Sequence, residues 1–355
     1  MRKACILPAV LTDDFCCSKT AMDFFNSLFS KRKASPPPLP SQLALVDDSA
    51  DEPPQVTVLK TLVIVYDPVV ERSSGTKLSQ YMRWNTVEDL AKGYMSDILQ
   101  VSGGLARHQI VQRLDVDEFP AKMDGYQYDA ETYLNVMRGT TSPHRPDEVN
   151  YHAIIERFNI LESVANNEID EVWLFGFPYA GFYESIMGGP GAFWCNAPPL
   201  KNTEASLRRF VIMGFSYERG VGEMLEDLGH RAESIMEKTF ERVPDEVNLW
   251  KRFTRYEKTH PGQSALGNVH FAPNSDRDYD WNNPSAVLSE CDDWLHNFPD
   301  FKGVKRKVTS ADWGHGDIRE HHKWWLNHFP KTAGRRNGIH NNWWQYIMNP
   351  NNVVL

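Results

Sequence analysis

The sequence predicts an α/β fold: a largely parallel or mixed central sheet with flanking helices, followed by an irregular Trp- and His-rich C-terminal region. Three observations carry this prediction. Leu62-Val-Ile-Val-Tyr66 is an unbroken apolar run, as in a strand buried on both faces. Apolar strand patterns alternate with helical ones up to about residue 240. Beyond Pro244 short helical stretches are separated by loops dense in Asn, Asp, Pro and Gly, and seven of the eleven Trp fall between Trp281 and Trp344.

The elements follow in order. Residues 1–55 read as a disordered leader and a Pro-rich acidic linker, and 56–355 as a single α/β domain. Arg2 and Lys3 precede a short apolar stretch that Pro8, Asp13 and Asp14 interrupt, with no small-residue cleavage site. No clear signal peptide results, and the cytoplasm is the expected compartment. Met22 offers a second translation start, or the head of a short apolar stretch with a basic end at Lys31-Arg-Lys33. The first strand spans 56–66 and ends at Asp67-Pro68. Thr86 caps a helix over 87–100, stopped by Gly103-Gly104. A strand at 108–116, a short helix at 128–138 and a loop at 143–146 come next. Asn150 caps a helix over 151–165, with Ile154, Ile155, Phe158, Leu161 and Val164 at helical spacing. A strand at 171–176, a long Gly-rich loop at 177–200, a strand at 209–215 and a helix at 218–240 complete the alternation. Short helices are expected at 247–256, 286–297, 317–328 and 339–347. Ligands of open α/β sheets sit outside the carboxyl ends of strands, which points to the loops after Asp67, Asp115, Gly176 and Phe215.

Composition limits the function. Of 355 residues 41% are hydrophobic, 24% charged and 12% aromatic, as in a folded globular chain. A formal charge of −9 argues against nucleic acid as a partner. No apolar run approaches the ~20 residues of a membrane span. Without a C-x-x-C, a thiolate zinc knuckle or thioredoxin-like motif is excluded. Cys195 and Cys291 are expected to be buried free thiols, a disulfide between them requiring export.

Four constellations could carry chemistry. The helix at 218–240 places Val221, Leu225, Leu228, Ala232, Ile235 and Met236 on one face, and Glu226, His230 and Glu233 at i, i+4 and i+7 on the other. That second face is either solvated or covered. Gly222 and Gly229 argue that it is covered, because each glycine costs about 1 kcal/mol relative to Ala inside a helix and is best explained by a closely approaching segment. Carboxylates held dry beside an imidazole suit acid/base or metal chemistry, although this is not the H-E-x-x-H zinc spacing. The second constellation is Asn268 to Asn274 with His270, followed by Asp276, Asp278 and Asp280. Counted from Asp276, position six is Trp281 and position twelve Val287, which excludes an EF-hand. His270 is a ligand, a base or a turn cap. Third, Asp312, His315, Asp317, Glu320, His321 and His322 lie among tryptophans, as a metal set, a stacking cleft or core. Fourth, the loop 177–199 carries Glu184 and Cys195. It has neither G-x-G-x-x-G nor G-x-S-x-G, and a Cys195 nucleophile would need His230 or His270 as its base.

The segments Asp170-Glu-Val-Trp-Leu-Phe-Gly176, Gly181-Phe-Tyr-Glu-Ser185, Gly189-Pro-Gly-Ala-Phe-Trp-Cys-Asn196, Gly229-His-Arg-Ala-Glu-Ser234, Asn268-Val-His-Phe-Ala-Pro-Asn274 and Asn341-Asn-Trp-Trp344 resemble an uncharacterised family of bacterial proteins over roughly 56–353. The resemblance implies one domain and directs attention to these segments. It supplies no activity and no catalytic residue.

The resulting expectation is a hydrolase, with or without a divalent metal, acting on a small molecule or glycan under the Gly-rich loop. His230 serves as base or ligand, Glu226 and Glu233 orient or coordinate, His270 is a second ligand or acid, and Glu184 a further carboxylate. The metal-ligand set is His230, Glu226 and His270. The alternative is a non-catalytic carbohydrate- or ligand-binding protein using a Trp/Asn-rich surface, and a third reading is a structural protein with buried tryptophans.

Overall fold

The computed structural model describes residues 52–355; the leader, the Met22 stretch and most of the linker lie outside them. Five strands form the central sheet. β1 (Thr57–Tyr66) is buried from Thr61 onward, as its apolar run requires. Thr86 Oγ1 accepts the Asp89 N–H to start α1 (Val87–Val101). β2 (Ala106–Val116), β3 (Glu171–Gly176), β4 (Ser185–Gly188) and β5 (Phe210–Ser216) follow. The order across the sheet is β2-β1-β3-β5-β4. All neighbours are parallel except β4, which runs antiparallel to β5 at one edge. The expected α/β class and mixed sheet are therefore present. Among the described residues, no helix is long and apolar enough to cross a membrane.

α2 (Val221–Thr239) leaves the carboxyl end of β5 and is buried on more than its apolar face. α3 (Ile318–Asn327) packs along it. The two glycines are the reason. A Cβ on Gly222 would lie 2.5 Å from Ile318 Cγ2, and one on Gly229 only 2.6 Å from Val269 Cγ2 and 3.5 Å from Trp325 Cζ3. Any side chain there would force α3 or the segment around Val269 away.

Three expected helices differ. The one over 151–165 breaks at Asn159, whose φ of 52° is left-handed, giving Tyr151–Arg157 and Ile160–Ala165. Asn adopts this conformation at lower cost than most residues. The stretch 286–297 begins as a strand, Val287–Ser289, paired with Arg306–Val308, before helix Cys291–Asn297. The stretch 339–347 begins as Ile339–Asn342, paired antiparallel with Lys331–Arg336, before helix Trp344–Met348. Asn337 and Gly338, with φ of 52° and 74°, form the turn between those strands. Asn-Gly is the strongest short hairpin signal, and it outweighs the helical spacing beyond it. Residues 52–55, expected as the end of the linker, dock on this hairpin. Gly334 donates to the Glu52 carbonyl at 3.0 Å and Asn342 Nδ2 to the Gln55 carbonyl at 3.1 Å.

The C-terminal tryptophans are core. Trp281, Trp294, Trp313, Trp325, Trp343 and Trp344 are all buried, as are Asn341 and Asn342. Their rings meet edge to face, Trp294 and Trp250 each within 6 Å of Trp343. Trp324 alone of the seven is half-buried, so most of the rings that a Trp/Asn-rich binding surface would use pack inside the irregular region instead. Cys195 and Cys291 are buried and free.

Candidate metal and acid/base site

α2 is fixed in rotation by the residue after His230. Arg231, fully buried, pairs with Glu171 at the start of β3. It also donates through Nε to the Ile347 carbonyl at 3.0 Å and through Nη2 to that of Met348 at 2.9 Å. Trp173 Nε1 donates to the same Glu171 carboxylate at 2.5 Å. Burial raises the Glu171 carboxyl, but Arg231 and His108 outweigh it and hold the group down at about 2. This anchor turns Glu226, His230 and Glu233 toward the segment that Gly229 admits.

That segment brings His270. Its backbone is set by Asn268, whose Oδ1 accepts the His270 and Phe271 N–H groups at 3.0 and 2.9 Å. The Val269 N–H donates to Glu233 Oε1 at 3.0 Å, tying the loop to α2. The two imidazoles face each other, Nε2 to Nε2, at 3.1 Å. Each is held from behind by a carboxylate: His230 Nδ1 lies 3.3 Å from Glu233 Oε2, and His270 Nδ1 lies 3.0 Å from Asp278 Oδ1. Glu226 Oε1 is 3.2 Å from His270 Nε2. One ligand atom from each of Glu226, His230 and His270 falls within 4.8 Å of the others, the sole such group among the described residues. Glu184, immediately before β4, approaches His230 Nε2 to 3.8 Å, and Asn196 Nδ2 donates to its Oε2 at 2.5 Å. The Asn196 N–H in turn donates to Ser234 Oγ on α2 at 3.1 Å.

All five expected site residues therefore converge. Burial disfavours the His270 cation, but the hydrogen bonds it donates to Asp278 and Glu226 prevail and raise it to about 10. Burial likewise opposes the His230 cation, and Glu184 and Glu233 prevail, so it too is raised. Burial would lift Glu226, yet a hydrogen bond from His270, the charge of His322 and a hydrogen bond from Tyr279 leave it at about 2. Buried Asp227, beside Glu184 and Glu226, is pushed well up.

Other expectations resolve differently. Cys195 is a buried, unactivated thiol: burial pushes it up to about 11, and its Sγ lies against Ser185 Oγ. His321 stacks on Trp281 in the core, Asp317 caps α3 through the Glu320 N–H, and Asp312 pairs with Arg306, so these members of the third constellation are structural, while buried His322, its Nε2 3.2 Å from the Val269 carbonyl, stands near Glu226. Asp280 accepts from the Asp276 N–H and from Asn283 Nδ2, as turn chemistry. Of the four loops at strand ends, only that after Gly176 and the connection into α2 lead to the cluster; Asp67 is taken up by the Ser79 N–H and Oγ. Asp278, Tyr279 and Asn196 complete the cluster without belonging to the expected catalytic set. Asp278 had a signal, an acid eight positions after His270 in the same loop; Tyr279 and Asn196 had none.

Comparison with protein-family models, with curated proteins and with solved structures finds no match.

Proposed function

We propose that the protein is a divalent-cation-dependent hydrolase whose cation is held by His230 Nε2, His270 Nε2 and a Glu226 carboxylate oxygen. The observation that carries this reading is the pair of carboxylates behind the imidazoles. With Glu233 and Asp278 taking the Nδ1 protons, both Nε2 atoms are directed at one point beside Glu226. Carboxylate–histidine pairs of this kind fix the tautomer and orientation of metal-binding imidazoles. Two histidines and one glutamate are the donor set of catalytic zinc sites with coordination positions left for water and substrate.

When bound, such a cation polarises a carbonyl and makes water acidic enough to be a nucleophile near neutral pH. The chain supplies the rest. Glu184, oriented by Asn196 and open on one side, accepts the proton of the attacking water and returns it to the leaving group. Water adds across the scissile bond, so the reaction balances without a redox partner. The surrounding carboxylates Glu184, Glu233 and Asp278 favour neutral or cationic substrates over anionic esters.

The test is elemental analysis and calorimetric titration of purified protein, followed by an ester, amide and glycoside panel. Wild type should bind one zinc or manganese per chain and hydrolyse at least one class. His230→Ala should lose both cation and activity while unfolding cooperatively. Glu184→Gln should keep the cation and lose about 100-fold or more in rate. A wild-type chain that binds no divalent cation would overturn the proposal, as would oxygen-dependent turnover on iron, which the same donor set supports.

A further inference from the structure

One side chain reaches the cluster that this donor set leaves out. The Tyr279 hydroxyl donates to Glu226 Oε1 at 2.7 Å and lies 3.0 Å from His270 Nε2. Those are the atoms through which Glu226 and His270 would hold a cation. Its oxygen therefore belongs to the same shell of donor atoms, not to the ring of groups behind it. The ring packs over His270 with centroids 4.4 Å apart, and its N–H donates to the His270 carbonyl at 3.2 Å, so both ends of the residue are tied to that histidine.

The backbone adds an independent observation. Tyr279 has a φ of 55°, left-handed for a bulky aromatic residue, on a loop where a third of the residue remains exposed. Such conformations are strained, and persist where surrounding contacts hold them in place. Asp278 on His270 Nδ1 and Tyr279 on His270 Nε2 are consecutive, so one tight turn places a proton acceptor behind the imidazole and an oxygen donor in front of it.

We propose that the Tyr279 oxygen is a fourth donor to the cation held by His230, His270 and Glu226, and that it is the donor which gives way to substrate. This rests on the cation-binding reading above. On binding, the phenol O–H bond breaks, an oxygen–cation bond forms and the proton leaves to solvent, with no change in oxidation state. His230 and Glu226 are built into α2 and His270 is pinned by Val269 and Asn268, whereas Tyr279 stands on an exposed turn. Turning its side chain outward would withdraw the oxygen from Glu226 and His270 while its backbone N–H stays on the His270 carbonyl.

Copper(II) tests this, because it binds N/O sites tightly and gives a visible charge-transfer band with phenolate. Wild type should take up one copper and show that band. Tyr279→Phe should bind one copper about 10- to 100-fold more weakly and show no band. Tyr279→Gly, which also relieves the left-handed backbone, should behave as Tyr279→Phe does, so that a folding defect in either variant is recognised by the other. Acetohydroxamate, a chelating carbonyl mimic, should bleach the wild-type band. Identical spectra in wild type and Tyr279→Phe would overturn the ligand assignment. A band that persists with hydroxamate bound would overturn displacement. Wild type that takes up no copper, zinc or manganese would overturn the cation-binding reading itself.

Discussion

Gly229→Ala tests whether the packing of α2 sets the geometry of the cluster. The new methyl would sit 2.6 Å from Val269 Cγ2 and 3.3 Å from Val269 Cβ. Val269 is buried and β-branched, so its side chain has little room to turn. Overpacking of this kind costs about 1–3 kcal/mol, and replacing glycine within a helix returns about 1 kcal/mol. The variant should be destabilised by up to about 2 kcal/mol. Val269→Ala alone should cost about 1.5 kcal/mol from lost burial, at about 0.8 kcal/mol per methylene, plus a cavity contribution. Combined, the added methyl occupies the space the valine vacates, so the double variant should be more stable than the sum of the singles by about 1–3 kcal/mol. Urea unfolding followed by circular dichroism measures all four corners of this cycle. Zinc affinity should follow the same pattern, because displacing Val269 drags its N–H from Glu233 and carries His270 with it. Additivity within about 0.5 kcal/mol would refute the claim that Gly229 exists to admit this segment.

Further outcomes follow from the same contacts. Arg231→Met leaves buried Glu171 without its guanidinium and should cost about 3–5 kcal/mol in urea unfolding. Trp343→Ala, at the centre of the aromatic core, should cost about 3–5 kcal/mol, while acrylamide should quench chiefly Trp194, the most exposed tryptophan among the described residues. Burial holds the His328 imidazole down at about 4. The unfolded chain takes up that proton near 6.5 and the folded one refuses it until about 4, so this contribution is complete above 6.5 and lost as pH falls toward 4. It amounts to about 3 kcal/mol, and His328→Gln should flatten the decline over that window. Glu171 adds a second loss at lower pH, as the solution passes from its ordinary value of 4.5 toward about 2.

The parallel strands were legible because buried strands leave continuous apolar runs, and Leu62 to Tyr66 or Val172 to Phe175 admit few other readings. β4 was not, because Ser185-Ile-Met-Gly188 is too short for a pattern and gains its place only by pairing with β5. The hairpin around Asn337-Gly338 was legible in principle; the apolar spacing of Ile339, Trp343 and Ile347 hid it. For the site, helical geometry placed Glu226, His230 and Glu233 on one side, and two costly glycines indicated a neighbour. That the neighbour would be the His270 segment is a tertiary fact, since forty residues separate the imidazoles. Glu184 was found through its loop, whereas Asn196 and Tyr279 act through contacts that local sequence does not encode. The tryptophans had two readings of equal composition, and only their mutual packing separates them.

Because His230 and Arg231 are neighbours on one helix, the face that carries the Glu/His cluster and a fully buried ion pair share a backbone. A rotation of α2 that moved the imidazole by even a fraction of a turn would pull the guanidinium from Glu171. If the proposed cation site holds, changes in metal preference should be channelled away from the helix and into the two connections that bear Glu184, Asn196, His270, Asp278 and Tyr279. Laboratory evolution aimed at new substrates should accumulate its beneficial changes in 177–199 and 268–283, and leave residues 226–231 untouched.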